Sequence, residues 1–194
     1  MKITLCAIEG DLYDAFRFHC GGLPNVDFAC DLFQQKADGC VSPGNSFGFM
    51  DGGIDELYRR RFKPIEGRVQ YAIANEWHGE LPVGCATGAP TSDKAIPCLI
   101  VAPTMRVPMI LPKDTVNPYL ACRAAILKAY KLKLKSLLIP GLGTGVGRVP
   151  YEICAKQVRQ AIDDACNSPA YPKSWLEASG RHQKLYGDAV VNLQ

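Results

Sequence analysis

Six short apolar runs, separated by segments of helical character, restrict the fold of this chain more than any other feature. They occupy residues 3–8 (ITLCAI), 26–30 (VDFAC), 39–42 (GCVS), 82–89 (PVGCATGA), 98–103 (CLIVAP) and 136–141 (SLLIPG). Each is short, bounded by turn formers and apolar nearly throughout, the pattern of a strand buried on both faces. Between them, residues 12–20, 53–62, 118–132 and 151–166 read as helices. The last two carry apolar side chains at spacings of three and four, and Pro118 and Pro150 stand where a helix start tolerates proline. Buried strands alternating with helices predict a three-layer α/β/α sandwich around a mixed, mostly parallel sheet. At 194 residues the chain suits a single domain, 1–194. Its chemistry-bearing core is expected at 26–166, with residues 1–25 adding a strand and a helix. Residues 167–194, beyond the turn-rich NSPAYPKSW, are expected to form a helical tail.

Several function classes drop out on composition. Apolar residues are 47% and charged residues 21% of the chain, and no apolar stretch approaches the ~20 residues of a membrane span. The opening MKITLCAIEGDLYDAF is too short and too polar for a secretory signal, so the expectation is a cytoplasmic protein with no membrane partner. Nine cysteines are an odd number, no two stand two residues apart, and several sit in apolar runs, which suits reduced core thiols. The three histidines, 19, 78 and 182, form no ligand spacing with them; neither a metal nor a cofactor is predicted. A net charge of +3 permits a phosphate ligand but is far from the footprint of a dedicated nucleic-acid binder. The run KAYKLKLK at 128–135 reads as a solvated helix end.

Two glycine-rich stretches, SPGNSFGFMDGGID and IPGLGTGVGRVPYE, each follow an expected strand and precede an expected helix. Glycine lets a backbone approach a ligand closely, and a helix start presents unpaired N–H groups and a positive dipole end. Two such loops at the carboxyl ends of strands make a cradle for a diphosphate. No Lys-Ser or Lys-Thr follows the glycines, and the G-x-G-x-x-G pattern with its later acidic residue is missing, which removes P-loop kinase and dinucleotide dehydrogenase readings. On composition alone, GLGTGVG is equally a flexible turn with no ligand.

The segment CDLFQQKADGCVSPGNSFGFMDGGID resembles the entry segment of macro domains, which runs GDIT, a spacer, DAIVNAAN and then GGGVD. Asp31-Leu32 match the first motif, Asn45 the final Asn of the second, and Gly52-Gly53-Ile54-Asp55 the end of the third, with fourteen and then ten residues between Asp31, Asn45 and Asp55. Downstream, VGCATGAPTSDKAIPCLIVAPT is similar to the family's hairpin and central strand. LLIPGLGTGVGRVPYEICA is similar to its diphosphate loop and following helix.

The resemblance implies the macro domain fold and a ligand, ADP-ribose, free or attached to another molecule. It implies that Asp31, beside Leu32, accepts a hydrogen bond from the adenine amino group, although an isolated Asp there would read as a turn cap. Gly143, Thr144, Gly145, Val146 and Gly147 would wrap the diphosphate with backbone amides, while Gly52, Gly53 and Ile54 admit the distal ribose. Asn45 would donate to a ribose hydroxyl or position a water, and in the hydrolytic branch residues matching Asn45 and Asp55 together cleave the bond at the distal anomeric carbon. Asp55 alone would read as a first-turn carboxylate.

Three departures stand out: Ser42 replaces the first Asn of NAAN, Asp51 the first glycine of the triplet, and Gly147 a frequent aromatic. Arg148 reads as an exposed loop residue. Phe47, Phe49, Trp175, Leu185 and Tyr186 are aromatic or apolar candidates for flanking the ligand. The expected function is hydrolysis of ADP-ribose derivatives, as a mono-ADP-ribosyl hydrolase or an O-acetyl-ADP-ribose deacetylase. The alternatives are a non-catalytic ADP-ribose-binding module and an ADP-ribose 1''-phosphate phosphatase. Partners are ADP-ribose or an ADP-ribosylated substrate, with nucleic acid only as such a substrate and a monomer as the default state.

Overall fold

Alternation inside the apolar runs decides which face of the sheet each side chain serves. In a computed structural model, which describes residues 1–8 and 10–186, six strands form one sheet in the order β2-β1-β6-β3-β5-β4. The strands are β1 (Lys2–Cys6), β2 (Val26–Ala29), β3 (Gly39–Ser42), β4 (Thr87–Pro90), β5 (Cys98–Val101) and β6 (Ser136–Ile139). All pairings are parallel except that of the edge strand β4 with β5. The helices are α1 (Asp11–Cys20), α2 (Gly53–Arg61), α3 (Ile65–Trp77), α4 (Asn117–Lys131), α5 (Tyr151–Asn167) and α6 (Trp175–Gln183).

Successive strand residues point to opposite faces. Ile3, Leu5, Val41, Ile100, Leu137 and Ile139 join one core with α1, α4 and α5, while Cys40, Leu99, Val101 and Leu138 join a second with α2 and α3. The helices on the first face bury small residues, Ala121, Ala125 and Ala129 from α4 and Ala155, Ala161 and Ala165 from α5, which lets the two lie close together. This is the expected three-layer sandwich around a mixed, mostly parallel sheet.

Register is set where β3 meets β6, as Gly39 faces Leu137 and Cys40 faces Leu138. Asp38, just ahead of β3, clamps the start of β6. Its Oδ2 accepts from the Lys135 and Ser136 amides at 2.6 and 3.1 Å, and its own amide donates to Ser136 Oγ at 2.9 Å.

The structure departs from the sequence reading in three places. Residues 65–77, to which that reading gives no element, form α3, whose buried face is Ile65, Val69 and Ile73 at spacings of four. The run at 82–89 yields a strand only from Thr87, because the Cys85 amide turns back onto the Pro82 carbonyl. The strand after that hairpin, β5, is next to the edge, and the centre belongs to β6 and β3. Of the tail, α6 buries no side chain, and in the turn that follows only Leu185 is buried; residues 187–194 lie outside the described residues. None of the nine cysteines is in a disulfide, and burial pushes Cys6, Cys20 and Cys154 up to about 12. No helix among the described residues is long and apolar enough to cross a membrane.

Tyr58 fastens α2 to the sheet. Fully buried, it donates from its phenol to the Val41 carbonyl at 3.0 Å, stacks on Phe62 and meets Phe33 edge-on. Tyr58→Phe removes the phenol's hydrogen bonding and leaves the ring, and we expect it to lower the unfolding free energy by about 1 kcal/mol in urea denaturation without changing the slope.

Candidate functional site

Parallel strands put their carboxyl ends on one edge of the sheet, and there the loops following β1, β3, β5 and β6 enclose a cavity of about 860 Å³. That volume falls within the range of small-ligand sites. Its walls are drawn from residues 43–55 and 140–147, with Thr104, Met105 and Pro108 from the loop after β5 and Cys6, Ala7 and Ile8 at the end of β1. No Lys, Arg or His stands among the described lining residues, whereas Asp11, Asp51 and Asp55 do.

The wall after β6 is a donor surface. The Val149 amide closes onto the Gly143 carbonyl at 3.0 Å, and Arg148 onto Gly145 at 3.1 Å. The amides of Gly143, Thr144, Gly145, Val146 and Gly147 donate to no acceptor among the described residues. Gly147 cannot be replaced without moving backbone, since a Cβ there lies 2.5 Å from the Gly143 carbonyl oxygen and 3.0 Å from Leu111 Cδ1. Successive free amides ahead of the α5 N-terminus suit an anion.

In the wall after β3, Asn45 folds its own loop. Its Oδ1 accepts from the Phe47 and Phe49 amides at 3.1 and 3.3 Å, and its Nδ2 donates to the Phe49 carbonyl at 2.8 Å. Both lone pairs of Oδ1 are thereby used, leaving one N–H for a ligand.

Asp55, in the first turn of α2, is only 7% exposed and receives one hydrogen bond, from Ser42 Oγ at 2.6 Å. A Cβ on Gly44 would fall on its other oxygen, Oδ2, well inside contact distance. Burial raises its pKa to about 6, and the Ser42 hydrogen bond works in the opposite direction.

The loop after β5 straps the two walls together. Thr104 donates from its hydroxyl to the Pro43 carbonyl at 2.7 Å, Ser46 from its amide to Arg106, and Leu111 from its amide to the Gly147 carbonyl. This stretch is therefore tied at both ends to the glycine-rich loops it joins.

Of the residues singled out in the sequence, the cavity gathers Asn45, Gly52, Gly53, Ile54, Asp55 and the whole of Gly143, Thr144, Gly145, Val146 and Gly147. A Cβ at Gly52 or Gly53 meets no protein atom within 4 Å, so any obstruction there concerns the cavity's contents. Asp31 and Leu32 are not in the lining. Leu32 is a core residue, and Asp31 caps the short turn Leu32–Gln34 through the Phe33 amide at 2.8 Å. Asp31 still stands close enough to Cys6, at the end of the cavity, for its charge to raise that thiol.

Phe49 lines the cavity, whereas Phe47 lies under the Arg106 guanidinium, and Trp175, Leu185 and Tyr186 stand elsewhere. Gly44, Asp11 and Tyr151 also line the cavity and were not read from the sequence as ligand contacts. Gly44 had a signal in its place beside Asn45, while Asp11 had none, because its nearness depends on β1 pairing with β6. No group of three or more His, Cys, Asp or Glu among the described residues could hold a metal ion.

The family described as Macro domain matches residues 41–158. An uncharacterised protein of Aquifex aeolicus is 36% identical over 131 residues, 68% of this chain and 76% of the relative. Among solved structures, the chain is similar to the macrodomain of Mycobacterium tuberculosis DarG, with a TM-score of 0.60 and 19% identity over 82% of this chain and 90% of that one. It is also similar to a point mutant of the Oceanobacillus iheyensis macrodomain with ADPR, with a TM-score of 0.63 and 21% identity over 80% and 88%. At such identities the structural likeness is one of fold.

Two outcomes follow from the site's geometry. Gly147→Ala forces a backbone shift and should cost about 1–3 kcal/mol of unfolding free energy. Gly44→Ala drives its Cβ onto the buried, Ser42-held carboxyl of Asp55 and should cost a comparable amount, as urea denaturation of both variants will show. The second outcome concerns Asp55. Its folded pKa lies above the ordinary 3.8, so the native state holds its proton more tightly; the associated stability is full below pH 3.8 and lost as pH rises through about 6. Asp55→Asn should therefore match the wild type near pH 4 and exceed it by about 1–3 kcal/mol at pH 8, a difference that melts at the two pH values measure.

Proposed function

The chain belongs to the macro domain family, and on that premise we propose that its cavity binds ADP-ribose and hydrolyses ADP-ribose derivatives at the distal ribose. One observation carries the catalytic part: a buried carboxyl, Asp55, faces the same cavity as a row of backbone amides with no acceptor, and no cation lines that cavity among the described residues. The amides of residues 143–147 supply hydrogen bonds to a diphosphate without any lysine or arginine. Support for the ligand itself comes from the similar Oceanobacillus iheyensis macrodomain structure, which carries ADPR.

In this reading the distal ribose lies against Gly52, Gly53 and Ile54. Asn45 offers its remaining N–H to a sugar hydroxyl, and Asp31, through the oxygen not engaged with Phe33, serves the adenine from beyond Cys6. Asp55 is ionised above about pH 6 and takes a proton from a water. The water oxygen bonds to the anomeric carbon as the bond to the leaving group breaks. The bond's electron pair departs with that group, which recovers the proton. Asn45 gives the binding-only reading its own support, since its Oδ1 is spent on folding the loop and cannot orient a water.

Calorimetry with ADP-ribose tests binding, and incubation with a mono-ADP-ribosylated protein, O-acetyl-ADP-ribose and the 1''-phosphate tests turnover. Asp55→Ala is expected to lower kcat by about 10²- to 10⁴-fold and to change affinity far less. Asn45→Ala should weaken binding as well, because its loop unfolds. Wild-type rates should fall below about pH 6 as Asp55 protonates. Tight binding with all three substrates intact would remove the enzyme reading and leave a binding module.

A further inference from the structure

Ser42 stands where the resembling motif has Asn, and nothing in the reaction described so far requires a serine there. Its backbone is locked: it is the last residue of β3, in register with Val101 of β5, and its carbonyl accepts the Ala102 amide at 3.0 Å. Its side chain has one donor, and that donor is spent on Asp55 Oδ1 at 2.6 Å. Both partners are buried, Ser42 at 2% and Asp55 at 7% exposure. On the other side of the carboxylate lies Gly44, where a Cβ would strike Oδ2 and stand 3.6 Å from Ser42 Oγ. Strand end, glycine and carboxylate form one packed unit that admits a single placement of Asp55.

We propose that Ser42 is the positioning residue for Asp55: its hydroxyl fixes Oδ1, Gly44 makes room for Oδ2, and Oδ2 alone is left to exchange a proton with the cavity. The proposal rests on the reading of Asp55 as the base of the hydrolysis. The described titratable groups nearest Asp55 are Glu56, Tyr58 and Arg59 on its own helix, Asp51 on the loop before α2 and, on the opposite wall, Asp11. The one cation among them, Arg59, is turned to Glu66, 3.7 Å away. The Tyr58 phenol is held by the Val41 carbonyl, and Glu56 is paired with Arg60. Among the described residues the Ser42 hydroxyl is therefore the one donor that favours the ionised form, against the desolvation that disfavours it. A serine, shorter than asparagine, reaches the carboxylate only when the carboxylate comes close to the strand, and the glycine at 44 permits that approach.

The experiment compares wild type, Ser42→Ala and Ser42→Thr by carbon-detected NMR titration of the Asp55 carboxyl in ligand-free protein, and by the pH dependence of kcat on the best substrate of the panel. Removing a hydrogen bond to the charged form raises the pKa, so Ser42→Ala should move the Asp55 midpoint and the acidic limb of kcat upward together, by about one pH unit. KM should change less than kcat, and Ser42→Thr, which keeps the hydroxyl, should return both curves toward wild type. A midpoint that stays put in Ser42→Ala, or an equal shift in Ser42→Thr, overturns the proposal. The ligand-free titration needs no substrate. A wild-type protein that fails to bind ADP-ribose would sink the functional reading, while the titration still decides whether Ser42 governs Asp55.

Discussion

Two residue pairs of parallel sheet, Gly39 with Leu137 and Cys40 with Leu138, are the contact on which the rest of the structure depends. They join strands nearly a hundred residues apart, and only this adjacency sets the loop after β3 beside the loop after β6. Gly39 is part of the reason the strands can meet, because a Cβ there would lie 2.9 Å from Leu134 Cδ1 and 3.2 Å from the Cys98 carbonyl oxygen. The Asp38–Ser136 clamp then fixes the register. A slip of one residue would turn each strand's two faces over and exchange the partners of both cores. The same slip would part the carboxyl of Asp55 from the amides of residues 143–147, so the fold and the site share one determinant.

Within that frame the cavity handles charge in an unusual way. A diphosphate is commonly met by lysine or arginine, yet the described lining has neither and carries three aspartates. Backbone amides and helix N-termini supply partial positive charge from fixed positions and spend no side-chain entropy on binding. They also leave Asp55 without a counter-ion, so its burial opposes folding at neutral pH. A site that keeps such a group against its own stability fits a functional use for that group, since strain of this kind collects where the chemistry is. The strap of residues 104–111 fits the same logic. By tying Pro43 and Gly147 into one framework before any ligand arrives, it lowers the ordering cost that binding would otherwise carry.

What the sequence disclosed was local, and what it withheld depended on pairing. The short apolar runs announced strands because a parallel strand, covered on both faces, has no polar side to hide it. The motif spacing from Asn45 to Asp55 and the glycines at 143–147 belong to single strand-to-helix turns, and the structure sets them around one cavity. The α3 face of Ile65, Val69 and Ile73 was visible as a spacing of four but lay between charged residues that masked it. Asp31 could be read as an adenine contact or as a cap; the amide it serves, Phe33, is two residues away, and its distance from the cavity was beyond local reading. The strap from Thr104 to Leu111 carried no sign of its role, because its anchors, Pro43, Ser46 and Gly147, lie 36 to 61 positions off in sequence and no pattern within the loop names them.

The three departures from the macro domain motifs gain a common meaning from their neighbours. Gly147 sits where hydrolases often have an aromatic, but any Cβ there meets the Gly143 carbonyl and Leu111, so this loop is wound too tightly to carry a ring and Leu111 fills the adjoining space. Ser42 is joined to Asp55 and bounded by Gly44, so changing one of the three without the others leaves either a collision or an unpaired carboxyl. Asp51 is different: exposed at the mouth and bonded to nothing else described, it can be altered alone. Two departures therefore belong to the rigid half of the site, where a compensating residue is already in place, and one belongs to the mouth, which on the proposed hydrolysis a leaving group would have to pass. On that proposal, variation at the mouth would change which derivative enters without disturbing the carboxylate and amides assigned to the ribose and diphosphate common to all of them.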